Sequence, residues 1–113
     1  MSKYKAQKAV SADGTVFDSR KEARRYQELK WAERAGDIQN LRLQVPYELI
    51  PLQKKPSGGS ERAIKYIADF VYEQNGRTVV EDVKGYRRGT AYNVFSIKRK
   101  LMLQRYGIEV KEV

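Results

Sequence analysis

The sequence contains no cysteine and no histidine. Without thiols there is no disulfide framework and no thiolate metal site. Without imidazole, any acid–base or metal chemistry must run on carboxylates, lysine or tyrosine. Long apolar runs are missing too: nothing approaches the ~20 residues that span a bilayer. Residues 1–8 lack the apolar core of a signal peptide, so no membrane and a cytosolic location are the default expectations. There is no internal repeat, and 113 residues make a single domain. What the chain has in excess is positive charge. Its 23 Lys and Arg against 14 Asp and Glu give a formal net charge of +9. A field of that sign attracts polyanions, and nucleic acid is the commonest such partner.

Residues 1–18 read as polar and irregular, with a turn at Asp13-Gly14 and a short hairpin over residues 10–17. Ser19 and Glu22 have the capping-box spacing that opens a helix, which should run to about Ala35 and stop at Gly36. From Ile38 the period becomes two. Leu41, Leu43, Val45, Tyr47 and Leu49 alternate with polar residues, which predicts a strand with one buried face, and Pro46 suits a sheet edge. Residues 53–60, rich in Lys, Pro, Gly and Ser, read as a flexible loop. Residues 63–73 and 77–84 are strand-like and flank Asn75-Gly76, a strong hairpin signal. A basic loop (residues 85–89) follows, then a helix capped by Thr90 and closed by Gly107, then a final strand over residues 108–113. The fold class is therefore α/β, in the order α-β-β-β-α-β, with a mixed sheet flanked by helices.

The hairpin sets a register. With Asn75 and Gly76 as loop residues, facing positions total 151, so Asp69 faces Asp82 and Ile67 faces Lys84. Alternation then places Ile67, Asp69, Val71, Val80, Asp82 and Lys84 on one face. Two opposed carboxylates repel, and burial makes each costlier to ionise. Three readings stay open: a bulge keeps the acids apart, the face is exposed with an ordinary Asp–Lys pair, or a cation sits between them. Oxygen ligands suit Mg²⁺, with Lys84 beside it to orient a water or meet a phosphate. Glu81 falls on the other face, opposite Phe70, as a runner-up ligand or a partly covered acid paired with a basic residue. Glu22 is explained equally well as the capping partner of Ser19 or as a third acid, since it shares a stripe with Tyr26, Leu29 and Glu33. On the second helix, Val94, Phe95, Ile97, Leu101, Met102 and Tyr106 form a broad apolar arc that includes Lys98 and Arg105. Arg105 can snorkel outward; Lys98 either does the same or reaches the acids or a DNA phosphate. Arg87, Arg88, Lys54 and Lys55 lie in loops suited to phosphate contacts.

Asp69, then 13 residues later Asp82-Val83-Lys84, resembles the Asp…(Asp/Glu)-x-Lys signature of the PD-(D/E)xK nuclease superfamily. Its restriction-endonuclease-like core has the element order given above. Asp13-Gly14-Thr15-Val16-Phe17-Asp18-Ser19…Glu22-Ala23, Tyr66-Ile67-Ala68-Asp69-Phe70 and Val80-Glu81-Asp82-Val83-Lys84-Gly85 are similar to segments of a family of short phage and prophage proteins. The likeness spans residues 5–113; Ala68 replaces the proline that often precedes the first Asp. The resemblance implies hydrolysis of DNA phosphodiesters with Mg²⁺, or Mn²⁺ in its place. Asp69 and Asp82 would ligate metal, Lys84 would assist the attacking water, and Glu22 would match the first-helix acid. It also implies a homodimer similar to Holliday junction resolvases, acting on branched DNA. A non-catalytic basic DNA-binding or assembly module and an RNA-acting enzyme are the alternatives.

Overall fold

The computed structural model describes residues 8–113, so the first seven residues of the polar N-terminal segment lie outside the described residues. Strands β1 (Ala9–Val10) and β2 (Val16–Phe17) form the expected hairpin, with Gly14 at φ 89° in its turn. The Asp13 carboxylate accepts hydrogen bonds from the Ser11 and Tyr26 hydroxyls and from the Thr15 N–H, which hold it far below the usual carboxylate range. The Tyr26 bond ties the hairpin to the first helix, where the rings of Phe17, Tyr26 and Phe70 pack together.

Helix α1 (Arg20–Arg34) starts at Ser19, whose Oγ accepts the Glu22 N–H at 3.1 Å. It ends in a Schellman turn: the Gly36 N–H reaches Glu33 O and the Asp37 N–H reaches Ala32 O. Gly36 sits at φ 84° with open space where a Cβ would stand. Gly36→Ala should therefore cost backbone strain alone, about 1–2 kcal/mol. Thermal unfolding measures this, and an unchanged midpoint would contradict it.

The remaining elements are β3 (Gln39–Ile50), β4 (Gln53–Lys54), β5 (Ser60–Glu61), β6 (Ile64–Gln74), β7 (Arg77–Asp82), α2 (Gly89–Tyr106) and β8 (Lys111–Glu112). The main sheet is ordered β3-β6-β7-β8. Its first three strands are antiparallel and β8 joins β7 in parallel, so the chain is a mixed α/β fold. Pro46 lies on the edge strand β3, where its missing N–H removes no ladder bond from a central strand. The Asn75-Gly76 turn gives the expected hairpin register, from Gln74↔Arg77 to Phe70↔Glu81. Phe70 and Tyr72 pack with Tyr26 and Leu29 of α1, whereas Val71 and Val80 pack with Phe95 and Met102 of α2. Successive residues of one strand thus feed two cores, and the helices cover opposite faces of the sheet.

Three parts of the chain depart from expectation. The first is the single alternating face of β3. β3 and β6 keep one register from Arg42↔Val71 to Glu48↔Lys65, yet Gln44 and Asp69 drop out of the ladder between them, and Gln44 adopts φ 51°. Each strand loses one step of alternation there. Leu41, Leu43, Phe70 and Tyr72 lie on the α1 side, and Val45, Tyr47, Tyr66 and Ala68 on the α2 side. Ile67 therefore does not share the face of Val71 and Val80; it is 45% exposed, and Tyr66 is buried in its stead.

Second, residues 53–60 are not a free loop. β4 pairs with β5 in the register that Ile50↔Ile64 begins, and Gly58 and Gly59, both at positive φ, close the turn. All of residues 51–62 are exposed, so the β3–β6 ribbon continues outward as an arm. Third, the apolar arc of α2 is narrower than expected. Phe95 and Met102 are buried and Leu101 is partly covered, but Val94 is 46% and Ile97 59% exposed, because the sheet reaches only one stripe of the helix. Thr90 falls inside the first turn; the N-cap is Arg88, which makes no side-chain cap bond. Gly107 closes α2 at φ 67°, as expected. Among the described residues no helix is long and apolar enough to cross a membrane.

Candidate active site

The β6–β7 ladder stops at Phe70↔Glu81, one step short of the expected facing of Asp69 and Asp82. Beyond it β7 turns to β8: the Val113 N–H donates to Asp82 O at 3.0 Å, and the Lys84 N–H donates to Val113 O at 2.9 Å. The Asp69 carboxylate fills the gap this leaves. Its Oδ2 accepts the Val83 N–H at 2.8 Å and its Oδ1 accepts the Gln44 amide at 3.3 Å. The two acids still interact. Burial first, and then the charge of Asp82, push the Asp69 carboxyl above its ordinary value.

Asp82 is held on both oxygens. The Tyr66 hydroxyl donates to Oδ1 at 2.9 Å, and Lys84 Nζ lies 2.6 Å from Oδ2. The same Nζ sits 3.7 Å from the centroid of the Phe95 ring, so the ammonium is clamped between a carboxylate and a π face. Burial, followed by the negative charge of Asp82, drives the Tyr66 hydroxyl far above its usual value, keeping it a donor. Residues 69, 82 and 84 are thus brought together, with a fixed rotamer at each acid.

Glu22 joins them from α1. Its N–H serves the cap, while its carboxylate accepts no hydrogen bond among the described residues. Burial, then Asp69, Asp18 and Asp82, raise its pKa from 4.5 to about 7. Ser19 thus caps the helix without the reciprocal carboxylate bond of a full capping box, and the Glu22 carboxyl lies instead within the field of Asp69 and Asp82. A carboxyl protonated more readily folded than unfolded stabilises the fold at low pH. That contribution is complete below about pH 4.5 and is lost as pH rises through about 7. The metal-free protein should melt at progressively lower temperature over that window. Glu22→Gln should flatten the slope. Scanning calorimetry checks this; a slope unchanged by Glu22→Gln would contradict it.

Glu81 is engaged elsewhere. It is fully buried on the α1 face, opposite Phe70, rather than partly covered. Arg25 grips it with Nε at 2.8 Å and Nη2 at 2.7 Å, and the Tyr72 hydroxyl also donates to it. Burial alone would raise its pKa, but these donors outweigh it and hold the carboxyl below the ordinary value. The pair fastens α1, and with it Glu22, to the strand that carries Asp82.

The candidate DNA contacts lie around this centre and beyond it. Arg87 leans on Glu112 at 3.7 Å, and Arg88 is exposed without an ion pair among the described residues. Lys98 is half-buried and meets no acid among the described residues, so of its alternatives the reach to the acidic cluster is not seen. Arg105 bonds to the Leu49 carbonyl and lies 3.7 Å from Glu48, which ends α2 on the sheet rather than in solvent. Lys54 and Lys55 ride on the exposed β4–β5 arm, Lys55 with Glu61 at 3.9 Å.

Among the described residues no three acidic side chains close into a ready metal cage. The donor chemistry nevertheless suits a hard cation. Glu22, Asp69 and Asp82 offer carboxylate oxygens, the charge of Asp82 makes Asp69 and Glu22 costlier to ionise, and Mg²⁺ needs only one or two of them beside water. A family model described as "Protein of unknown function (DUF1064)" matches residues 1–112. The chain belongs to the DUF1064 family. No curated protein and no solved structure matches it.

In this DUF1064 chain the site also contains residues that the sequence did not single out. Tyr66 and Gln44 fix the two aspartates, Asp18 adds charge near Glu22, and Lys21 donates to the Lys84 carbonyl. Tyr66 was hidden by the lost step of alternation. Lys21 and Asp18 flank Glu22 in α1 and its cap, and that proximity was the one signal available for them.

Proposed function

We propose that this DUF1064 protein is a divalent-metal-dependent DNA endonuclease of the PD-(D/E)xK type on a restriction-endonuclease-like core. It would act on branched or otherwise structured DNA, as a homodimer. The observation that carries the reading is the Lys84–Asp82 contact with the charges of Asp69 and Glu22 close enough to interact, where β7 parts from β6. A sequence selected for stability alone would avoid three acids so close together.

Glu22, Asp69 and Asp82 would hold Mg²⁺ or Mn²⁺, which supplies Lewis acidity at the phosphate and a more acidic water. The protein's own groups supply the positioning. Tyr66 and Lys84 fix the Asp82 rotamer, and Gln44 with the Val83 N–H fixes Asp69. Lys84 uses one of its three N–H donors on Asp82, leaving two to orient a water or stabilise a phosphate oxygen. Arg87, Arg88 and Lys98 would hold flanking phosphates, and Lys54 and Lys55 would reach more distant ones from the arm.

The test is cleavage of a panel in Mg²⁺ against EDTA: a four-way junction, a flap, plain duplex and single strand, with an RNA counterpart of each. Metal-dependent cleavage of DNA, strongest on a branched member, is the expected result. Gel shifts without cleavage would make the protein a non-catalytic binding module, and preferential RNA cleavage would make it a ribonuclease.

A further inference from the structure

Between β7 and α2 the chain leaves a hollow of about 400 Å³, lined by Lys21, Lys84, Gly85, Tyr86, Arg87 and Arg88. Four of the six are cations and none is an acid. Three of the cations are already anchored: Lys21 on the Lys84 carbonyl, Lys84 on Asp82 and Arg87 on Glu112. Arg88 has no ion pair among the described residues. Tyr86 is 69% exposed and packs in neither core, so folding makes little use of its ring.

We infer that this hollow binds an unpaired nucleotide next to the cleaved phosphate, with its base stacked on Tyr86 and its phosphates on Lys21 and Arg88. Cations flanking a free aromatic face match what a single strand offers, because every unpaired base has an open π face. Paired bases in a duplex keep those faces stacked, and a duplex would use the cations alone. The inference rests on the nuclease reading and sharpens it: the substrate is DNA that exposes an unpaired nucleotide at the site, as a flap or the opened centre of a junction does and a continuous duplex does not.

The test is fluorescence anisotropy in EDTA with a labelled oligo-dT and a duplex of equal length. Wild type, Tyr86→Ala and Tyr86→Phe are compared, and thermal melts confirm that each variant is folded. Tyr86→Ala should weaken oligo-dT binding about tenfold. Tyr86→Phe should stay within about twofold of wild type, and all three should bind duplex alike. Equal losses on oligo-dT and duplex would overturn the inference, as would no loss on oligo-dT. An oligo-U that shows the same Tyr86 dependence supports recognition of the unpaired base irrespective of the sugar. Because no metal is present, the outcome is separate from catalysis. A protein that never cleaves DNA but shows the Tyr86 effect keeps the pocket and loses the nuclease reading; the reverse pattern keeps the nuclease and loses the pocket.

Discussion

Asp82→Asn should slow Mg²⁺-dependent cleavage about a thousandfold while leaving DNA binding intact. The asparagine oxygen can still accept the Tyr66 hydroxyl, which Asp82 takes at 2.9 Å, so the local packing persists. What disappears is the charge that would face a metal and that holds Lys84 at 2.6 Å. Binding should even tighten slightly, because one negative charge no longer repels the phosphates. Single-turnover cleavage and anisotropy on the same DNA separate the two effects. A variant that cuts within tenfold of wild type would remove Asp82 from the centre of the site.

The second large effect is on stability. Arg25→Met should cost about 3–5 kcal/mol, because it leaves the Glu81 carboxylate buried without its partner. The Glu81 side chain has 0% exposure and Arg25 26%, so solvent can rescue the arginine but not the acid. Adding Glu81→Gln to Arg25→Met should recover part of the loss, since the double variant buries no charge. Denaturant unfolding of the single and double variants measures the coupling. If Arg25→Met melts like wild type, the pair is not what fastens α1 to β7.

The parts of this molecule visible in its sequence are those where a local rule acts alone. Asn75-Gly76 carries its own turn geometry, and the register it fixes holds from Gln74↔Arg77 to Phe70↔Glu81. Ser19 and Gly36 bound α1 for equally local reasons. The kink at Gln44 and Asp69 was not legible. Left-handed backbone is usually announced by glycine or asparagine, and glutamine gives no such sign. That one conformation displaced Ile67, buried Tyr66 beside Asp82 and moved Asp69 out of the ladder. Asp69, Asp82 and Lys84 nonetheless lie near one another, because β7 ends at Asp82 and its continuation holds Lys84 Nζ 2.6 Å from that carboxylate. Glu81 was misjudged in depth, not in direction: its face was right, but a partner 56 residues earlier in the chain cannot be read from spacing. The β4–β5 arm hid behind a composition of Lys, Pro, Gly and Ser that free loops share. On α2, the hydrophobic arc overstated the contact, since periodicity says which residues are apolar but not how wide a surface covers them.

Whether Asp82 and Lys84 form a nuclease centre is decided by cleavage of a four-way junction as Mg²⁺ is titrated upward from EDTA. No product should form in EDTA, and the rate should rise with Mg²⁺ and saturate. Mn²⁺ should substitute, and Lys84→Ala should cut poorly at every metal concentration. Tight junction binding with no product at any concentration of either metal would contradict such a centre.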